Sequence, residues 1–190
     1  MNTEHPLSKS ILYLTVVTSA ILLIPFLAMQ FTSEVVWTLS DFVFAGILMF
    51  GTGFTYLFVT RKSHTTAYRV AVGFALGTGF FLIWSNLAVG IIGSEDNFIN
   101  LFYFGVIAIG IIGALIARFE AEGMTITLFV AAFAQAVIAA AAIFGGYYQS
   151  PPSSVMEILA VNGFFITLWI VSALLFRYAA QNEAEEHQSE

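Results

Sequence analysis

Cysteine is absent from the 190 residues. This excludes disulfides, thiol redox chemistry and thiolate-held metals. Charge is also scarce: Asp, Glu, Lys and Arg make up 9% of the chain, where a soluble domain carries about 25%. Such a chain lacks the polar surface to sit in water. Its six Lys and Arg form no basic patch, so nucleic acid is not a partner. The three histidines, His5, His64 and His187, all fall outside the apolar runs, which excludes a haem held by histidines projecting from the spans. No lysine lies inside a run either, so a retinal Schiff base is excluded. HExxH, GxxxxGK[ST] and GxSxG are missing, as is a pair of aspartates at the centre of the apolar segments. The connections are too short for a catalytic domain, and no enzyme is expected. Arg61, His64 and Arg69 mark the only place where one would sit, and they read more simply as basic anchors.

What the chain does have is hydrophobic residues, 59% of the total, with a mean hydropathy of +0.89. They fall into six runs, at about residues 11–30, 41–60, 70–93, 99–117, 124–146 and 155–176. Twenty helical residues rising 1.5 Å each match the roughly 30 Å hydrocarbon core of a bilayer. The first run exceeds the ~7–15-residue apolar region of a signal peptide and reads as a true span, with Pro25 expected to kink it. The expected fold is all-α, a compact bundle of six transmembrane helices over residues 11–177. Residues 1–10 precede it, the Pro151-Pro152 loop separates the last two spans, and a flexible acidic tail (178–190) carries Glu183, Glu185, Glu186 and Glu190.

All six cations (Lys9, Arg61, Lys62, Arg69, Arg118 and Arg177) fall at alternate ends of the spans. By the positive-inside rule both termini are then cytoplasmic. The outer side keeps Glu34, Asp41, Glu95, Asp96 and Glu157 without a compensating cation, and Trp37, Tyr147 and Tyr148 suit an outer aromatic belt. A 59-residue offset aligns Gly46 with Gly105, Gly51 with Gly110, and Asp41 with Asn100, a faint sign of a parallel repeat.

The candidate site is organised around Phe80–Asn100. On helical spacing Asn86, Gly90, Gly93 and Asn97 share one face. Asn86, Gln135 and Asn162 lie within spans, where an amide needs a partner. They either bond between helices or line a polar ligand site in the outer half of the bundle, with Trp84 beside them. The indoles of Trp84 and Trp169 need partners of their own, and these amides are candidates. Glu95 and Asp96, with Asp41, Asn97 and Glu157, offer hard oxygens for Ca²⁺, Mg²⁺ or a monovalent cation. The same SEDN stretch is also an ordinary polar turn with an N-cap, and Ser40-Asp41 an ordinary N-cap for the second span. No cofactor is expected beyond such a cation. Gly73/Gly77, Gly110/Ala114 and Gly113/Ala117 are small-xxx-small pairs, and with Gly90, Gly93 and Gly105 they are expected to pack helices closely.

Through FTSEVVWTLSDF (Phe31–Phe42), NLAVGIIGSEDN (Asn86–Asn97) and GALIARF (Gly113–Phe119), over most of its length, the chain resembles a family of small bacterial membrane proteins of uncharacterised activity. The family pattern follows the acidic turn with proline and alanine, where this chain has Phe98-Ile99. The resemblance implies six spans and a bacterial inner membrane, and it supplies no activity. Two functional classes follow from the residues: a carrier, channel or sensor with an outward acidic vestibule, or an accessory subunit. The second packs against a larger partner, or a second copy, through Gly/Ala faces.

Overall fold

A computed structural model describes residues 7–61, 65–149 and 153–189. His5, Lys62, His64, Pro151, Pro152 and Glu190 lie outside the described residues, as do the side chains of Tyr148, Glu186 and His187. Every described element is helical: α1 Leu7–Phe31, α2 Leu39–Thr60, α3 Thr66–Ala88, α4 Phe102–Ile116, α5 Ala121–Phe144 and α6 Val155–Ser189. A 3-10 turn, Phe98–Leu101, leads into α4, and another, Tyr147–Gln149, follows α5. All six helices, counting α4 with its leading turn, are long and apolar enough to cross a membrane. The chain is therefore a multi-pass helical membrane protein. Only helices satisfy every backbone N–H and C=O within the segment itself, as lipid demands.

The chain divides into two units, residues 1–61 and 62–190. The first is a hairpin of α1 and α2. Glycines on α2 set its closeness: a Cβ on Gly53 would fall 2.4 Å from Leu14 Cδ1, and one on Gly46 would fall 3.4 Å from Leu22 Cδ1. Helix α1 runs unbroken through Pro25. Helix α2 begins two residues earlier than its hydropathy suggests, because Thr38 is the N-cap rather than Ser40-Asp41. Thr38 and Asp41 form a capping box, in which the Thr38 amide donates to Asp41 Oδ2 at 2.7 Å and the Asp41 amide donates to Thr38 Oγ1 at 3.4 Å.

In the second unit α6 is central, with α5 and α3 packed against it and α4 packed on α5. One stripe of α6 explains this. Ile158, Asn162, Phe165, Trp169, Ser172, Phe176 and Ala179 recur at alternating steps of four and three, and none is more than 3% exposed. That is heptad spacing, the pattern of close left-handed helix packing. The facing side of α5 is rich in alanine, with Ala121, Ala131, Ala132, Ala139 and Ala142 all buried, so the two backbones approach closely. Because Ala179 is still buried and the following residues are good helix formers, α6 continues to Ser189. The tail expected to be flexible is helical there.

The glycines divide into two groups. A Cβ on Gly113 would lie 2.3 Å from Thr127 Cγ2, and one on Gly123 would lie 2.6 Å from Ala117 Cβ, so the Gly113/Ala117 face is a close α4–α5 contact. By contrast, Gly73 is exposed, and a Cβ built on Gly77, Gly105 or Gly110 would meet no described atom within 4 Å beyond its own helix. Within this unit those three do not pack. The repeat pairing also separates on inspection: Asp41 is a capping residue, whereas Asn100 ties a loop together.

Helix α4 ends in a Schellman turn. The Phe119 amide donates to the Ala114 carbonyl at 3.0 Å and the Arg118 amide to the Leu115 carbonyl at 3.1 Å. The left-handed position that normally takes glycine is here Arg118 (φ 52°), and Phe119 follows at φ 63°. Each such residue is disfavoured by about 1–2 kcal/mol. Arg118→Gly is expected to raise the melting temperature in detergent by about 2–4 °C, as for a gain of roughly 1 kcal/mol. Gly113→Ala is expected to lower stability by about 1–3 kcal/mol, because Thr127 is held by its bond to the Gly123 carbonyl (2.9 Å) and cannot easily move aside. Gly105→Ala should be neutral or stabilising. A melting series on the three variants tests all of this.

Candidate functional site

Helix α3 stops at Ala88, so Asn86, Gly90, Gly93 and Asn97 do not share a helical face. The chain turns instead at Gly90 (φ 75°) and Gly93 (φ 73°), which glycine adopts without penalty. A Cβ on Gly90 would meet the Ser94 carbonyl carbon and oxygen at 2.6 Å and Asn100 Nδ2 at 2.8 Å. Continuing α3 would have sent the amides of Ile91, Ile92 and Gly93 to the carbonyls four residues earlier. They go elsewhere. Asn100 Oδ1 accepts from the amides of Ile91 (3.2 Å) and Ile92 (3.0 Å). Ser153 Oγ, just before α6, accepts from the Gly93 amide (2.6 Å).

Asn100 is the hub of this loop and is 3% exposed. Its Nδ2 donates to the carbonyls of Ile92 (3.2 Å) and Ser94 (2.8 Å), and its backbone carbonyl accepts from Asn86 Nδ2 (3.1 Å). Asn97 caps the 3-10 turn by accepting from the Ile99 amide (3.3 Å). A loop that would otherwise carry unpaired backbone groups thus closes on one side chain. In the sequence Asn100 stands at the end of the Phe80–Asn100 stretch and opposite Asp41 in the repeat, neither of which points to this role. The available signal was two glycines three apart, followed seven residues later by an asparagine.

The three span amides do not bond to one another. Asn162 Oδ1 accepts from the Tyr103 hydroxyl at 2.8 Å, joining α6 to α4, and its Nδ2 donates to the Ile158 carbonyl at 2.9 Å. Gln135 Oε1 accepts from the Trp169 indole N–H at 2.8 Å, joining α5 to α6, so the need of Trp169 for an amide partner is met. Seven residues separate Asn162 from Trp169, so these two pairs lie about 10 Å apart along α6. One turn further, Ser172 Oγ donates to the Ala71 carbonyl at 3.0 Å, joining α6 to α3. The amides form successive levels of one polar seam instead of a single pocket. Trp84 stacks on Phe80 at 5.9 Å.

Two further polar atoms are buried without a partner, Gln135 Nε2 in this seam and Asn86 Oδ1 beside the Asn100 hub. Their residues are 0% and 4% exposed. The orientation of each amide follows from its other atom: Asn86 Nδ2 is on a carbonyl and Gln135 Oε1 is on an indole N–H, so neither amide can be flipped without losing that bond.

Glu95 and Asp96 are exposed at the tip of the loop. Asp41 belongs to the hairpin unit and its carboxylate is engaged in the Thr38 cap. Glu157 forms a capping box with Ser154, with both bonds at 3.2 Å. Among the described residues no three of His, Asp and Glu gather in a way that could hold a metal ion.

The geometry defines a helical membrane protein with a polar seam. Compared with protein-family models, curated protein sequences and solved structures, the chain matches none.

Asn100→Ala removes four side-chain hydrogen bonds, and Asn100→Asp turns a donor into an oxygen facing two carbonyls. Both are expected to cost about 3 kcal/mol or more. Thermal melting should show Asp to be no better tolerated than Ala; if Asp melted like the wild type, the hub assignment would be wrong.

Proposed function

We propose that this chain is a small carrier, channel or sensor in a bacterial inner membrane, with both termini cytoplasmic. It handles a small cation or polar solute that approaches from the side of Glu95 and Asp96. The observation that supports this reading is the polar seam. Buried polar groups are costly in a membrane and tend to mark solute paths. Here they succeed one another along α6, from Asn162 through Trp169 to Ser172, and Gln135, which meets Trp169, has an unpartnered Nε2. Glu95 and Asp96 serve as an electrostatic lure rather than as ligands, raising the local cation concentration at the mouth.

The charge distribution supports the orientation. Tyr68, Phe119 and Phe176 meet at one end of the four-helix unit, and their sequence neighbours are Arg69, Arg118 and Arg177. The acidic loop and Ser153 occupy the other end. A cationic end and an anionic end are the arrangement that the positive-inside rule describes.

A specific observation favours a second reading, an accessory subunit. Gly77, Gly105 and Gly110 leave open space where a Cβ would stand, and small residues on an open helix face suit a partner helix. Native mass spectrometry of protein released in mild detergent separates the two readings. The carrier reading expects a small adduct at unit stoichiometry that is lost in Asn86→Ala or in Glu95→Gln/Asp96→Asn. A second polypeptide that dissociates when Gly105 and Gly110 are replaced by leucine would favour the subunit. A bare chain in every preparation would count against both tight binding and an obligate partner.

A further inference from the structure

We infer that Tyr68 is a latch on the turn that ends α4 at its basic end, and that its release lets that turn open. The inference concerns the opposite end of the unit from the acidic loop and does not depend on what the protein carries.

Helix α4 packs on α5 and makes little contact with α3. At its start it is fastened twice, by the Asn100 hub and by the bond from Tyr103 to Asn162. At its other end the chain passes through Arg118 and Phe119, both left-handed (φ 52° and 63°) where neither side chain favours that conformation. Strained backbone of this kind persists only where surrounding structure holds it. The holding contact is the Tyr68 hydroxyl, which donates to the Phe119 carbonyl across 51 residues of sequence.

Tyr68 is itself fixed. It is 6% exposed, and its ring meets that of Phe176 edge-on, with centroids 5.3 Å apart and planes at 84°. The strained turn is thereby fastened, through one phenol, to the α3–α6 pair at the centre of the unit. With the phenol bond broken, Arg118 and Phe119 can relax toward right-handed or extended backbone. The Schellman bonds that end α4 are lost with that change. Helix α4 itself stays seated on α5 through Gly113 against Thr127 and Ala117 against Gly123, so the opening is confined to the turn that follows it.

Hydrogen exchange on the full chain in detergent tests the latch. Tyr68→Phe keeps the ring on Phe176 and removes only the hydroxyl. Exchange at residues 115–120 is expected to quicken about tenfold or more, with residues 128–140 of α5 unchanged. Arg118→Gly added to that variant should slow exchange again, because it removes the strain that the latch opposes. Unchanged exchange at 115–120, or an equal increase throughout the unit, would overturn the inference. Should Tyr68→Phe fail to fold, the wild type decides. A latched turn exchanges through a local opening insensitive to dilute denaturant, while α5 exchanges through global opening. If both followed the same denaturant-sensitive opening, there would be no latch.

Discussion

In lipid every backbone amide and carbonyl must find a partner within the protein, and the second unit is shaped by how it meets that demand where α3 breaks. Water cannot complete the end of a helix that stops among buried side chains. Asn100 completes it instead. Its side chain has two acceptor sites and two donors, and all four are used on the backbone of residues 91–94. Its main-chain carbonyl then takes the buried amide of Asn86. Gly90 and Gly93 are required because only a chain able to turn left-handed, without a Cβ beside Ser94 and Asn97, can curl closely enough. The loop that results is rigid at its base, and it presents Glu95 and Asp96 at its tip.

From that fixed end the remaining polar contacts follow the packing stripe of α6. Heptad spacing places Asn162, Trp169 and Ser172 on the buried side, and each meets a different helix: α4 through Tyr103, α5 through Gln135 and α3 through the Ala71 carbonyl. Interhelical hydrogen bonds in membranes contribute modestly, about 0.6 kcal/mol on average. Their larger effect here is to set register, because each bond can form at only one axial offset between two helices. The same seam that orders the helices is thus a line of polar groups through an apolar medium. That is the physical basis for reading it as a path, and the unpartnered Nε2 of Gln135 is where it departs from purely structural bonding.

Much of the fold was legible in the sequence because hydropathy separates lipid from water over whole segments. All six runs correspond to helices. The finer boundaries were not, since the residues that end helices act through geometry that hydropathy does not measure. Thr38 caps α2 two residues ahead of Ser40, and the apolar residues after Ala88 leave the helix at Gly90. The need of Trp169 for an amide could be read from chemistry alone, and Gln135 meets it. The hub role of Asn100 could not, because its partners are backbone groups six to nine residues earlier that come within reach only after the chain has curled. The glycine faces were equally hidden. When the whole surface is apolar, sequence does not say which small residues meet a helix and which meet lipid, so Gly113 and Gly105 look alike until Thr127 is seen against one of them.

The central claim is that the seam carries a solute as well as setting register. Flux across vesicles reconstituted with the purified protein tests it most directly, comparing the wild type with Gln135→Met, which keeps the side-chain volume and removes the amide. Monovalent cation flux above that of protein-free vesicles, and slowed in Gln135→Met, is the predicted result. No flux, or flux indifferent to Gln135, would contradict it and favour the reading in which the buried polar groups hold the helices in place.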